Sequence, residues 1–242
     1  MTTSSLPEHF LAQSHLFLEH MVAWEQNLSS LTWQELQLEA QAGQCAIFSV
    51  DMLNGFCHAG GLASPRIKGI IPAVVDVLQG AYAIGVRDFI LAQDSHTPES
   101  VEFAQFPPHC QAGTSEAETI PELVQLPFAD LYRVIAKNSL NAFHGTSLGT
   151  WLEQRHNLRT AVIVGNCTDL CVYQMAMHLK LYANAHNWPL RVIIPANAVQ
   201  TYDIPVTVAQ ESGLLAHDGD FLHLTFLHHM AINGIEVVRA IQ

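Results

Sequence analysis

The sequence predicts a single α/β domain built on a doubly wound, mostly parallel six-stranded sheet with helices on both faces. Two observations carry this expectation. Short apolar runs at 46–50, 88–92, 132–136, 161–164 and 191–195, with a weaker sixth near 235–238, alternate with helical patterns at about 67–84, 149–156, 170–186, 206–215 and 219–232. Buried strands alternating with helices are what a parallel sheet covered on both faces requires. The runs also end on polar residues: Asp51, Asp94 with His96, Lys137, and the stretch 165–171. In such sheets the site forms beyond the carboxyl ends of the strands.

Ahead of the first strand, Phe10, Leu11, His15, Leu18, Met21 and Val22 recur at helical spacing, and a second pattern runs from Trp33 to Leu38. Residues 1–44 are therefore expected to form a helical N-terminal extension of one or two helices, packed on a domain spanning 45–242.

Composition narrows the class. With 242 residues, 49% hydrophobic and 13% charged, the chain can bury a full core in one domain. A net charge of −12 argues against a nucleic-acid partner, whose phosphates demand a basic footprint. No apolar run approaches the roughly 20 residues of a membrane helix. No Lys or Arg precedes Arg66, which argues against a secretory or transit segment, so a cytoplasmic protein is expected. Five cysteines (Cys45, Cys57, Cys110, Cys167 and Cys171) suit packing residues or reactive thiols better than a disulfide framework.

Cys171 lies in the first turn of the helix that follows the fourth strand, with Thr168 or Asp169 expected as its cap. There the helix dipole and free N–H groups favour a thiolate and can hold an oxyanion. Taken alone, a free cysteine is more often a small core residue. Asp51 alone would be a turn residue, and Lys137 alone would extend its head to water. Together, at three strand ends of one sheet, they make a nucleophile, a base and a cation that lowers both pKa values.

A second constellation is Asp94-Ser95-His96 followed by Pro107-Pro108-His109-Cys110. Alternate residues share a face, so Asp94 and His96 point the same way, and the proline pair restricts the backbone before His109. One carboxylate and two imidazoles leave coordination positions open, as in a catalytic metal site. The expected cofactor is one divalent metal ion, zinc first, with manganese or iron(II) as alternatives. Cys110 is left out because a fourth thiolate ligand would close the site. Glu102 is a weaker candidate, through water or as support for the ligands. His217, His223, His228 and His229 read as a polar helix face rather than a second metal site.

These residues resemble the nicotinamidase/isochorismatase-like cysteine hydrolase family, and within it the plant-type nicotinamidase subgroup. The likeness spans about residues 45–215. It rests on VDMLNGF around Asp51, QDSHTPE around His96, PPHCQAGTSEAE around His109, KNSLNAFHGT after Lys137, GNCTDLCV ending near Cys171, and VQTYDIP at 199–205. The resemblance implies an Asp51, Lys137, Cys171 triad and metal ligands Asp94, His96 and His109. It also implies a cis peptide at Asn166–Cys167, an oxyanion hole from the Cys167 and Cys171 N–H groups, and a ring clamp from Phe56, Phe106 and Phe143. Two departures stand out: Cys167 where many relatives have alanine, and Ser139-Leu140-Asn141 in place of a Tyr-Ser sequence. The N-terminal extension has no counterpart in the family pattern.

The expected activity is hydrolysis of nicotinamide to nicotinate and ammonia through a cysteine thioester, with the metal gripping the pyridine nitrogen. The partner is then a small carboxamide, with homo-oligomerisation left open. One alternative is an amidase of the same fold acting on an N-carbamoyl or ureido substrate, which would not be expected to carry the metal set. Another is a non-catalytic module, against which the complete Asp51, Lys137, Cys171 set argues.

Overall fold

The computed structural model describes residues 7–242, so the first six residues of the predicted extension lie outside the described residues. Seven strands form one sheet: β1 (Cys45–Val50), β2 (Asp88–Asp94), β3 (Tyr132–Lys137), β4 (Thr160–Asn166), β5 (Arg191–Pro195), β6 (Val199–Gln200) and β7 (Glu236–Val238). The helices are α1 (Glu8–Gln26), α2 (Trp33–Gln41), α3 (Asn54–Cys57), α4 (Pro65–Gly69), α5 (Ile71–Ile84), α6 (Pro121–Val124), α7 (Leu148–Glu153), α8 (Cys171–Ala185), α9 (Val206–Ser212) and α10 (Gly219–Ile232).

The strand order is β3-β2-β1-β4-β5-β7, with β6 pairing separately with the end of β4, and every strand pair is parallel. The six expected strands are present. The two-residue β6 is too short to leave a pattern. The helical pattern at 67–84 is two helices, α4 and α5, which meet at Ile70 with a proline in the first turn of α5.

Alternation along each strand fills two cores. Cys45 and Ile47 of β1, Phe89 and Leu91 of β2, and Val162 and Val164 of β4 pack with Leu36 of α2 and Val74 and Leu78 of α5. Their neighbours Phe48, Ile90, Ala92 and Ile163 pack with Trp151 of α7, Met175 and Leu179 of α8, and Leu227 and Met230 of α10. Both faces are apolar, which is why the strands read as continuous runs instead of an alternation. The extension joins the same body: α1 packs on α10 and α2 on α5. Leu31 donates to the Ala240 carbonyl at 2.9 Å and accepts from the Gln242 N–H at 2.9 Å. Among the described residues, no helix is long and apolar enough to cross a membrane.

The sheet runs outward in both directions from the β1/β4 boundary, and that switch point opens a crevice beyond the carboxyl ends. Val50 is in register with Ala92 of β2 and Gly165 of β4, and Asp94 with Lys137. Asp51, Asp94, Lys137 and Asn166 therefore stand side by side at one rim. Gly165 makes this closeness possible: its φ is 112°, and a Cβ there would lie 2.0 Å from the Val50 carbonyl oxygen.

Candidate active site

Three strand ends and one helix start deliver the reactive groups. Asp51 follows β1 with φ 51°, and its backbone is tied on both sides. Its N–H donates to the Ala92 carbonyl at 2.9 Å, and its carbonyl accepts Asn166 Nδ2 at 2.6 Å. Its Oδ1 accepts the Asp94 N–H at 2.7 Å. Lys137 ends β3 and turns inward. Its Nζ lies 2.9 Å from Asp51 Oδ2, 2.5 Å from Asp94 Oδ1 and 3.4 Å from Cys171 Sγ. Lys137 is 1% exposed, so it does not reach for water; it is a cation between two buried carboxylates. Cys171 is the first residue of α8, and its sulfur and carboxylate oxygens of Asp51 and Asp94 lie within 4.8 Å of one another.

Burial and charge act against each other in the site. Burial pushes the Cys171 thiol well above its ordinary range; Lys137 pulls it down, but Asp51 and Asp94 push it up again. Burial and the two carboxylates thus oppose the pull toward a thiolate that the helix terminus and Lys137 exert. Burial and the Asp94 charge push the Asp51 carboxyl up to about 6, with Lys137 opposing them. Asp94 is held well below the usual carboxylate range: burial raises it, and Lys137 with the two histidines outweighs burial. For Lys137, burial favours the neutral amine, but the two carboxylates dominate and keep it charged. The site thus places a buried thiol beside a carboxyl group whose pKa is raised to about 6.

The turn before α8 departs from expectation at its cap. The N-cap position is Leu170, with no side-chain cap bond. Thr168 Oγ1 is instead 2.8 Å from His223 Nδ1, and Asp169 Oδ2 is 2.8 Å from His217 Nε2. The Asn166–Cys167 peptide is cis. The Leu170 and Val172 N–H groups both donate to the Cys167 carbonyl at 3.1 Å, and among the described residues the Cys171 N–H between them has no backbone acceptor.

Asp94, His96 and His109 bring one ligand atom each within 4.8 Å of the others. The outer ring nitrogens are already engaged: His96 Nδ1 lies 3.0 Å from Asn138 Oδ1, and His109 Nδ1 lies 2.8 Å from the Pro107 carbonyl. Both Nε2 atoms then face Asp94, at 3.4 Å and 3.6 Å, and His96 Nε2 is buried without a hydrogen-bond partner. An orphaned imidazole nitrogen beside a second one and a carboxylate fits a divalent metal, and the outer-nitrogen bonds are those that orient histidine ligands. Cys110 is packed against Glu116, its Sγ 3.6 Å from that residue's carbonyl, and it is not in this group. Glu102 Oε1 accepts the Leu140 N–H at 3.1 Å and supports the cavity wall.

One cavity joins these groups. It is lined by Asp51, Asp94, His109, Asn166, Cys167 and Cys171 on its polar side. Phe56, Leu62, Ile67, Phe106, Leu140, Leu170 and Tyr202 supply the apolar side. Phe56 and Phe106 stand where expected, with ring centroids 5.5 Å and 6.3 Å from His109. Phe143 does not line the cavity. Its ring is stacked on His178 of α8, centroids 3.7 Å apart at 1°, so the assignment of Phe143 to the ring clamp is corrected. Leu140 and Tyr202 stand in the wall instead. Of the four discounted histidines, only His223, His228 and His229 lie on α10; His217 is a buried residue before it.

A thiol, a carboxylate and a cation in mutual contact, beside an open group of metal-binding side chains, are the equipment of a thiol-dependent hydrolase on a doubly wound sheet. The chain belongs to the isochorismatase family, whose domain model matches residues 45–213. It is 31% identical to nicotinamidase 1 of Arabidopsis thaliana over 212 residues, which cover 79% of this chain and 84% of that protein. Among solved structures, nicotinamidase of Bacillus subtilis is 25% identical with a TM-score of 0.63, over 81% of this chain and 99% of the other. A pyrazinamidase of Pyrococcus horikoshii in complex with zinc has the same fold, with a TM-score of 0.61 at 23% identity over 81% of this chain and 99% of the other.

Proposed function

We propose that the protein is a nicotinamidase, hydrolysing nicotinamide to nicotinate and ammonia through a thioester on Cys171. The observation that carries the reading is the contact of Lys137 Nζ with Asp51, Asp94 and Cys171 at once, on the rim of a cavity walled by Phe56 and Phe106. The similarity to nicotinamidase 1 of Arabidopsis thaliana supports the substrate.

The steps follow from the charges. Asp51 takes the proton of the Cys171 thiol, and Lys137 holds the resulting negative charge in place. The sulfur attacks the carboxamide carbon, and the oxygen of the tetrahedral intermediate accepts from the Cys167 and Cys171 N–H groups. Asp51 returns the proton to the departing nitrogen, releasing ammonia and leaving the acyl group on sulfur. Water, deprotonated by Asp51, then cleaves the thioester to the acid and regenerates the thiol. Asp94, His96 and His109 would hold one divalent metal, zinc first, which when bound supplies a Lewis acid for the pyridine nitrogen. Phe56 and Phe106 supply the apolar walls on which the ring packs. Five free cysteines accord with the reducing cytoplasm.

The experiment is ammonia release from nicotinamide by the metal-loaded protein, with Cys171→Ala as control. Release by the parent and none by the variant is expected; a parent inert toward nicotinamide would overturn the assignment.

A further inference from the structure

The turn carrying Cys171 is tied to a side-chain system that the reaction scheme does not use. Asp169, two residues before the nucleophile, is buried and holds His217 Nε2 at 2.8 Å. His217 Nδ1 lies 3.0 Å from the Tyr202 carbonyl, and its ring lies flat on the Tyr202 ring, centroids 3.8 Å apart at 18°. His217 stays outside the cavity, whereas Tyr202 lines it. One face of the tyrosine is therefore covered by the histidine, and its remaining surface is presented to the ligand space.

The backbone around this pair is fixed as well. Ile204 and His217 exchange two N–H to carbonyl bonds, at 2.7 Å and 2.9 Å, closing the segment that contains α9. Gly219 approaches so closely that a Cβ there would lie 2.7 Å from the Tyr202 carbonyl oxygen. Arg66 Nε donates to the neighbouring Thr201 carbonyl at 3.1 Å. A wall residue held from this many sides is built to keep one position.

We propose that Tyr202 is a specificity-determining wall of the cavity, and that Asp169 and His217 are positioning residues that set it against the ring of an aromatic carboxamide. This rests on the aromatic-carboxamide reading above. Its chemical content is a flat substrate ring packed on a fixed aromatic side chain, which aliphatic amides cannot exploit.

The test is a double-mutant cycle on the metal-loaded, full-length enzyme. Tyr202→Ala and His217→Ala should each raise KM for nicotinamide about tenfold, the scale of a lost aromatic contact, with kcat changed by less than about threefold. The double variant should resemble Tyr202→Ala alone, since His217 acts through the tyrosine. His217→Phe, which keeps a ring on Tyr202 without the two hydrogen bonds, should fall between parent and His217→Ala. It also serves if the alanine variant fails to fold. Additive effects of the two substitutions would overturn the proposal, as would a loss of kcat at unchanged KM. A parent inert toward nicotinamide would instead overturn the substrate reading. The cycle is then read on whichever aromatic carboxamide the parent hydrolyses, where additivity would still sink the coupling.

Discussion

Lys137 Nζ lies 3.4 Å from Cys171 Sγ, with both side chains shut away from solvent. A buried ammonium has no value as a surface charge; here it offsets Asp51 and Asp94, which would otherwise repel each other and any negative charge on sulfur.

Lys137→Met should therefore be costly in two ways. Removing one member of a buried ion group leaves carboxylates uncompensated, at about 3–5 kcal/mol. Alkylation of Cys171 by iodoacetamide at fixed pH should also slow, since the cation that favours the thiolate is gone. Thermal denaturation and a mass-spectrometric time course check both. An unchanged alkylation rate would reduce Lys137 to a structural cation.

The metal group makes a prediction about substrate rank. Nicotinamide and pyrazinamide carry a ring nitrogen meta to the carboxamide, and benzamide has the same shape without it. In the metal-loaded enzyme, kcat/KM for the first two should exceed that for benzamide by roughly a hundredfold or more. His96→Ala should compress that ratio. Equal rates on benzamide and nicotinamide would remove the metal from ring recognition and favour an amidase of another specificity.

Stability should depend on pH through His223. Burial and the Arg66 charge push its ring down to about 4, while the ring in the unfolded chain titrates near the ordinary histidine value. The unfolded state then binds more protons in between, so this contribution is complete above about 6.5 and is lost as pH falls towards 4. On the order of 2 kcal/mol should disappear across that window. His223→Gln should flatten this part of the curve in urea titrations. A variant with the parent's pH dependence would show that His223 is not the group responsible.

Much of this was legible in the sequence because burial leaves a mark there. Continuous apolar runs gave five strands with their ends correct to within two residues. Asp51, Asp94 and Lys137 stood out as charges at the ends of such runs, where an unpaired charge is costly. The Pro107-Pro108 pair suggested a fixed His109, and the Pro107 carbonyl does hold its ring nitrogen. What failed depended on contacts distant in sequence. Thr168 and Asp169 look like caps locally, but their oxygens are claimed by His223 and His217, about fifty residues downstream. Phe143 occupies the expected position in the chain, yet His178 offers it a stacking surface outside the cavity. Tyr202 comes to the cavity from the segment after β6, and Leu62 with Ile67 from the β1–β2 crossover, stretches far apart in sequence that no periodicity joins. The thiolate expectation counted the lysine and the helix terminus, whereas burial and the two carboxylates, which push the thiol the other way, depend on the folded packing.

The most direct test is an acid-quenched single turnover of nicotinamide, read by intact-protein and peptide mass spectrometry. A nicotinoyl thioester should appear on the peptide containing Cys171 before nicotinate accumulates. Cys171→Ala should show no adduct, while Cys45→Ala and Cys110→Ala show it at nearly parent levels. Nicotinate formed at the parent rate by Cys171→Ala, or an acyl group mapped to another cysteine, would contradict the account.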